Sequence, residues 1–233
     1  MSEDQGKSAV THPSDPQLLR YMSLPAATLS DAMDGLGLPL AHMGQAVKRL
    51  SGTHVVGRAR TVDRTSAPTN ARQADFGPEL GMGTYRVIDS SLPGTVIVIA
   101  ARGDVSAALW GGNMANRARQ LGVMGVVTDG AVRDLDEMEE LELAVFAGGT
   151  AAPQAPPRLV TLSIDQPIIC GGVRVRPGDI IVGDCDGVVV VPHERSDEIA
   201  DRAESILDTE RVMRKFIAEG NSLVAAVEKY RVR

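Results

Sequence analysis

Two short segments of the sequence, Gly111–Met114 and Arg133–Asp134, carry residue types that could bind and activate a small acid. In the first, two glycines at the expected start of a helix leave backbone N–H groups open to a ligand, and the helix dipole favours a carboxylate or phosphate there. The amides would come from Gly111, Gly112, Asn113 and Met114. A plain helix entry with a tight turn explains the same glycines, so this pattern alone leaves both interpretations open.

Arg133 and Asp134 follow the apolar segment Gly125–Thr128 at the expected carboxyl end of a buried strand, where open α/β sheets bind their ligands. A guanidinium group can hold a planar carboxylate with two parallel hydrogen bonds. The neighbouring carboxylate can hold a divalent cation such as Mg²⁺, with water in the other coordination positions. Because the acidic run Asp134–Met138 also suits the first turn of a helix, a surface Arg–Asp pair at a helix start is the alternative.

The elements around these segments predict an α/β fold. Thr95–Ile99 and Gly125–Thr128 are apolar and rich in β-branched residues, which is typical of strands covered on both faces. A helix is expected between them, from about Asn113 to Gln120, so the region forms a strand–helix–strand unit. A further strand is predicted over His54–Val62, and Thr28–Asp31 has the pattern of a helix N-cap.

The last third of the chain predicts a different arrangement. Gly172–Val191 contains β-branched runs separated by Pro177–Gly178 and Asp186–Gly187, which favours antiparallel strands joined by tight turns. Ser196–Ala218 places apolar residues at helical spacing with charges between them, so an amphipathic C-terminal helix is expected.

Composition limits the class of protein. The formal net charge of −6 and the lack of clustered Lys and Arg argue against a nucleic-acid partner. Residues 1–16 are polar and lack the apolar core of a secretory signal, and no stretch approaches the ~18 apolar residues of a spanning helix, so we expect no membrane partner. We expect a flexible leader over residues 1–16, one domain over residues 17–233, and a cytoplasmic protein in which Cys170 and Cys185 are buried and reduced.

The sequence resembles the RraA-like family, which includes the class II pyruvate aldolases acting on 4-hydroxy-4-methyl-2-oxoglutarate and 4-carboxy-4-hydroxy-2-oxoadipate. The resemblance is carried by Gly-Asp-Val-x5-Gly-Gly-Asn-Met-Ala over Gly103–Ala115 and by Gly122–Asp134, which ends in Asp-Gly-x-Val-Arg-Asp. It continues through Val175–Pro192 and covers nearly all of the chain after the leader.

This resemblance implies a β/β/α swivelling fold assembled as homotrimers or homohexamers with sites between subunits. It implies that Gly111–Met114 bind the carboxylate and carbonyl of a 2-oxo acid, that Arg133 contacts the substrate, and that Asp134 ligates Mg²⁺ or Mn²⁺. A glutamate on the neighbouring subunit's C-terminal helix would support the metal through water; Glu210 is the best match, although a solvated helix face explains Glu210 equally well.

The implied activity is a divalent-metal-dependent lyase that cleaves 4-hydroxy-2-oxo acids and diacids to pyruvate and an oxo acid, and that decarboxylates oxaloacetate. Both reactions share a metal-stabilised pyruvate enolate. No Schiff base is needed, which agrees with the absence of lysine between Lys48 and Lys215.

One position departs from the aldolase pattern. The aldolases often have an acidic residue directly after the first glycine of the amide segment, where this chain has Gly112. Either Gly112 is a subfamily variation, with water or Asp104 filling the gap, or the catalytic demand on the site is relaxed. The second possibility leads to the alternative hypothesis of a non-catalytic regulator that binds a protein partner such as a ribonuclease.

Overall fold

The computed structural model describes residues 15–39, 41–45, 47–67, 82–156 and 158–230. Its strands, numbered along the chain, are β1 (His42–Met43), β2 (Lys48–Ser51), β3 (Val55–Ser66), β4 (Thr95–Ala100), β5 (Ala108–Trp110), β6 (Gly125–Thr128), β7 (Ala131–Val132), β8 (Ala144–Ala147), β9 (Gly149–Thr150), β10 (Leu159–Ile164), β11 (Ile168–Cys170), β12 (Val173–Val175), β13 (Ile180–Asp184) and β14 (Gly187–Val191). Its α-helices are α1 (Pro16–Tyr21), α2 (Ala26–Gly35), α3 (Gly83–Asp89), α4 (Gly112–Gln120), α5 (Leu135–Glu140), α6 (Ser196–Ala218) and α7 (Leu223–Tyr230).

The main sheet has the strand order β1-β14-β13-β3-β4-β6-β8-β2, and β10 also pairs with β3. Its four central strands, β3, β4, β6 and β8, run parallel, and the outer strands pair with them and with one another in antiparallel register. All six residues of β4 and all four of β6 are buried. The α/β fold and the two buried strands predicted from the sequence are therefore confirmed.

Three apolar clusters cover this sheet. One packs α3, α4 and α5 against the parallel strands, and a second lies under the β11–β12 hairpin. The third packs α1, α2 and the first half of α6 against β13 and β14. A mixed sheet with its faces covered buries apolar residues in this way, which explains why every residue of β4, β6 and β8 is buried.

A second, three-stranded sheet consists of β5, β7 and β9. Each of its strands follows a strand of the main sheet along the chain: β5 comes after β4, β7 after β6, and β9 after β8. The short sheet therefore extends the carboxyl edge of the main sheet, which is the edge where α/β folds bind ligands.

Two sequence predictions need correction. Helix α2 begins at Ala26 rather than at the Thr28 pattern, because Asp184 Oδ2 accepts the Ala26 N–H at 2.9 Å and replaces a local cap. Cys170 is buried as expected, but Cys185 is exposed, since it lies in the turn that joins β13 to β14. Both thiols are free.

The C-terminal helix has the predicted bounds, Ser196–Ala218, and buries residues only in its first half. None of the described helices is both long and apolar enough to cross a membrane. The predicted leader falls mainly on residues 1–14, which lie outside the described part of the chain, and remains a prediction.

Candidate active site

The two predicted segments meet because β5 and β7 are parallel neighbours. Ala108 pairs with Ala131 and Trp110 with Val132, and the Arg133 N–H continues the ladder by donating to the Trp110 carbonyl at 3.0 Å. The carboxyl ends of the two strands thus coincide. Gly111–Met114 begins α4 at this edge, and Arg133–Asp134 precedes α5 directly beside it.

Asp134 has a left-handed backbone, with φ 62° and ψ 42°. A non-glycine residue rarely adopts this conformation, although aspartate tolerates it better than most, and such residues cluster at functional sites. The conformation ends β7 and directs the carboxylate towards α4, where its Oδ2 accepts the Gly112 N–H at 3.0 Å. Side-chain exposure of 39% leaves this carboxylate open to a ligand.

The Arg133 guanidinium lies along the same edge. Its Nε is 3.5 Å from Asp134 Oδ2, and its Nη1 donates a long hydrogen bond of 3.4 Å to the Ala152 carbonyl. With 41% of the side chain exposed, most of its N–H groups remain available to a carboxylate. The structure therefore places a cation and an anion side by side at the start of α4.

Gly111 and Gly112 allow two acidic side chains to approach the start of α4 closely. A Cβ atom on Gly111 would lie 2.8 Å from Asp134 Oδ2, and one on Gly112 would overlap Oε2 of Glu137 and lie 2.9 Å from its Oε1. Glu137, in the first turn of α5, thus places its carboxylate where an acidic side chain at position 112 would lie. Sequence reasoning attributed this glutamate only to a helix first turn; its spacing of three residues from Asp134, one helical turn, was the available signal.

Asp104, the other predicted substitute for the missing acid, is engaged elsewhere. Its oxygens accept the Ser66 hydroxyl at 2.7 Å and the Ser106 N–H at 2.9 Å, and hydrogen bonds from Ser106 and Ser66 lower its pKa. The three atoms nearest to a Cβ on Gly112 all belong to Glu137, and none belongs to Asp104. The carboxylate that fills the gap at Gly112 is therefore that of Glu137.

The backbone amides at the start of α4 are partly occupied. The Gly112 N–H bonds Asp134, and the Met114 N–H donates to the Gly111 carbonyl at 3.0 Å. Between them, the Asn113 N–H makes no hydrogen bond to another described residue. A bound carboxylate would therefore meet one free amide, assisted by the helix dipole and Arg133.

A cavity of about 190 Å³ opens at this edge. Its walls include Gly111–Met114, Arg133 and Asp134, the segment Gln154–Pro156, and three side chains that sequence reasoning did not select, Arg64, Thr84 and Tyr85. Trp110, the last residue of β5, also lines it. It is 1% exposed, and its Nε1 donor has no partner among the described residues.

The donor set at this edge fits a hard divalent cation. Asp134 and Glu137 supply carboxylate oxygens at the start of α4, and both side chains are exposed, so water can complete the ligand set, which is the ligation that Mg²⁺ prefers. Two other groups with metal-ligand chemistry, Asp179–His193–Glu194 and Asp184–Cys185–Asp186, lie elsewhere. In the first, the Arg176 guanidinium already bonds both oxygens of Glu194 at 2.6 Å.

Glu210 does not reach this edge within its own chain. It lies on α6, where its Oε2 accepts the Arg214 guanidinium at 3.1 Å, and it does not line the cavity. A role for Glu210 in a neighbouring subunit's site remains a prediction.

A larger cavity of about 780 Å³ lies beside β11 and β12 and contains neither Arg133 nor Asp134. Three of its charged groups are engaged, since Arg102 pairs with Asp63 at 2.9 Å and Asp129 accepts the N–H groups of Ala101 and Gly171, and the fourth, Arg174, is exposed. Chemistry rather than volume therefore selects the smaller cavity as the candidate active site.

Known proteins are similar to this chain in sequence and in fold. A relative from Halalkalibacterium halodurans named "Putative 4-hydroxy-4-methyl-2-oxoglutarate aldolase" is 32% identical over 91% of this chain and 92% of its own. The solved structure of an uncharacterized protein from Pseudomonas syringae pv. tomato matches with a TM-score of 0.82 and 28% identity, covering 97% of this chain and 99% of that one.

RraAS2 from Streptomyces coelicolor, described as an unusual member of the RNase ES inhibitor RraA protein family, matches with a TM-score of 0.77 and 27% identity over 88% of this chain and 99% of its own. The family model described as Aldolase/RraA matches residues 26–190, which include both strand ends of the candidate site. The chain therefore belongs to the RraA-like family and has its fold.

Proposed function

We propose that this protein is a divalent-metal-dependent lyase that cleaves 4-hydroxy-2-oxo acids to pyruvate and a second oxo acid, and that it also decarboxylates oxaloacetate. The observation that carries the proposal is the convergence of Arg133, Asp134 and Glu137 on the two glycines at the start of α4. A guanidinium, two carboxylates and a free amide at one edge can bind a 2-oxo acid and a hard cation together.

Each residue has a defined task in this proposal. The Asn113 N–H and the Arg133 guanidinium bind the carboxylate of the 2-oxo acid, and Arg133 also stabilises negative charge that develops on the 2-oxo oxygen. Asp134 holds the cation, Mg²⁺ or Mn²⁺, with Glu137 beside it. When bound, the cation would act as a Lewis acid on the 2-oxo group.

Glu137 is the general base in this scheme, acting directly or through one water molecule. Its carboxylate accepts the proton of the 4-hydroxyl group, the C3–C4 bond breaks, and a carbonyl forms at C4. The bonding electrons move to C3 and the 2-oxo oxygen as the enolate of pyruvate, which then takes up a proton at C3. Oxaloacetate loses carbon dioxide to give the same enolate, so one site serves both reactions.

The alternative is a regulator without chemistry. The similarity to RraAS2, whose description names an RNase inhibitor family, favours it. The convergence of Asp134 and Glu137 favours the enzyme, because a protein-binding surface does not need two carboxylates beside a guanidinium and a free amide.

We further propose a homotrimer or homohexamer in a cytoplasmic protein, with sites between subunits. The second half of α6 and helix α7 carry large apolar side chains that a neighbouring copy would cover: Val212, Leu223, Val224 and Val227, exposed by 51%, 62%, 67% and 44%. Light scattering coupled to gel filtration measures this state, and a monomeric mass in dilute solution would contradict it.

The activity test measures pyruvate release from oxaloacetate and from 4-hydroxy-4-methyl-2-oxoglutarate with Mg²⁺, Mn²⁺ or excess chelator. We expect turnover that requires a divalent cation and that Asp134→Ala and Arg133→Ala both abolish. Equal turnover in these variants and the unmodified protein would refute the proposed site. No turnover of either substrate, together with no stabilisation by Mg²⁺ plus oxalate, would favour the regulator.

A further inference from the structure

Arg64 is a buried cation without a counter-charge in the described structure. It lies on β3 opposite Thr161 and is 6% exposed. Its Nη2 donates to the Leu159 carbonyl at 2.7 Å, its Nη1 makes only a 3.4 Å contact with Thr84 Oγ1, and its Nε has no partner. No described carboxylate forms an ion pair with it, and burial lowers its pKa to about 10.

An unpaired buried cation lowers the stability of the ligand-free protein. A buried charge is normally paired with an opposite charge, and each unsatisfied buried donor adds a further penalty. Two of the three buried polar side-chain atoms found without a partner in the described residues, Arg64 Nε and Trp110 Nε1, belong to residues that line the active-site cavity. A ligand carboxylate that enters this cavity would give the Arg64 guanidinium the acceptor and the counter-charge that the described residues do not supply.

The location of Arg64 defines what that ligand carries. The cavity measures about 190 Å³, which is below the usual range for drug-sized ligands, so a small acid that fills it would lie against Arg133 and Arg64 together. Arg133, beside Asp134 and the start of α4, would bind the end of the ligand that carries the 2-oxo acid group. Thr84 and Tyr85, whose hydroxyl groups can donate, line the cavity with Arg64.

We propose that Arg64 binds a second carboxylate of the substrate, so that this site selects 2-oxo dicarboxylates over 2-oxo monocarboxylates of equal length. This inference rests on the proposed function, because it assumes that the 2-oxo acid end binds at Arg133. Arg64 therefore determines specificity and takes no part in bond breaking.

The test compares two ligands that differ only at the distal end, 2-oxoglutarate and 2-oxopentanoate, by calorimetry with saturating Mg²⁺. The unmodified protein should bind 2-oxoglutarate about tenfold more tightly or better, as expected for a charge-assisted hydrogen bond. Arg64→Met should bring the two affinities together and leave that for pyruvate unchanged, and Arg64→Lys should retain part of the preference. Arg174→Met, an exposed arginine of the larger cavity, is the matched control and should keep the full preference.

The outcomes separate the two proposals. Pyruvate binding without a preference for 2-oxoglutarate, or a preference that survives Arg64→Met, would overturn the role of Arg64 alone. If neither pyruvate nor either longer acid binds, the proposed function fails and this inference fails with it. Thermal unfolding of the metal-free protein adds a readout that needs no ligand: removing an unpaired buried charge should leave the Tm unchanged or raise it. A lower Tm together with lost pyruvate binding would show that Arg64 only supports the fold and would overturn the inference.

Discussion

The carboxylate of Glu137 fills the space in which a side chain at Gly112 would begin. Gly112 therefore leaves the space that the Glu137 carboxylate occupies. This acidic group of the site comes from α5 instead of α4. Because the obstructing atoms are the end of a flexible side chain, a residue at position 112 would displace the glutamate rather than break the fold.

The first prediction is that the carboxylate at this site can be supplied either from position 137 on α5 or from position 112 on α4. Glu137→Ala should lower kcat for aldol cleavage by roughly 100-fold, the scale of a lost general base. Gly112→Asp in the Glu137→Ala background should recover part of the activity, because the new carboxylate enters the vacated space. Pyruvate release by the single and double variants measures both effects.

Glu139→Ala is the matched control for this pair, since Glu139 is an exposed acid of the same helix that is not among the atoms nearest to Gly112. It should leave kcat unchanged. A Glu137→Ala variant with full activity would contradict the role of Glu137, and a double variant no better than Glu137→Ala would show that position 112 cannot replace it.

A second prediction concerns the charge of Asp134. Asp134→Asn keeps a residue that tolerates the left-handed backbone and removes only the negative charge. The variant should fold normally and lose the rise in Tm that Mg²⁺ plus oxalate gives the unmodified protein. Asp136→Asn, which changes a neighbouring exposed acid, should keep that rise. An undiminished Tm shift in Asp134→Asn would place the metal elsewhere.

The third prediction separates the charge of Arg133 from its shape. Arg133→Lys keeps a cation but loses the planar group that can bond a carboxylate twice. We expect kcat/KM to fall about 10-fold in Arg133→Lys and 100-fold or more in Arg133→Ala, on the scale of a removed charge-assisted donor at a developing negative charge. Arg195→Ala, at a surface ion pair away from the cavity, is the control. Equal kcat/KM values in Arg133→Lys and Arg133→Ala would contradict this prediction, because they would show that a positive charge without the planar guanidinium gives no benefit.

The sequence predicted those parts of the site that depend on strands and their ends. Apolar runs located β4 and β6, and Arg133 and Asp134 were selected because they come after β6, at the edge where α/β sheets bind ligands. The pairing of β5 with β7, which brings them beside Gly111–Met114, was not predicted. The role of Glu137 was not predicted. An acid in the first turn of a helix can face solvent or a neighbouring helix, and the packing of α5 against α4 decides between them.

The burial of Arg64 also could not be predicted from the sequence. An arginine in a β-strand is normally at an exposed position, and its burial here results from pairing between β3 and β10, which are separated by about 95 residues in the chain. For the same reason the N-cap of α2 was misplaced: its acceptor is Asp184, far away in sequence. Local patterns predict elements, whereas long-range contacts decide which polar groups are buried together.

The fourth prediction tests how α1 is held to α6. Arg20 on α1 bonds Glu204 on α6 through two hydrogen bonds of 2.5 and 2.7 Å, and the Arg20 hydrogen bond lowers the pKa of Glu204. Arg20→Met should reduce the free energy of unfolding at pH 7 by no more than about 1 kcal/mol, because Glu204 is nearly half exposed and solvent weakens the pair. This corresponds to a fall in Tm of roughly 2–4 °C for a domain of this size.

The lowered pKa of Glu204 predicts how the effect of Arg20→Met on Tm changes with pH. Since the pKa of Glu204 is lower in the folded protein than in the unfolded chain, where it is about 4.3, the pair stabilises the fold above that value, and the stabilisation is lost as pH falls through the folded pKa. The Tm difference between Arg20→Met and the unmodified protein should therefore be full at pH 7 and shrink towards pH 3. Arg195→Met, which breaks a pair between neighbouring turns at the start of α6, should change the Tm less, because that pair joins no two elements. A Tm difference for Arg20→Met that stays constant from pH 7 to pH 3 would show that Arg20 acts through packing of its alkyl chain rather than through the charge of Glu204.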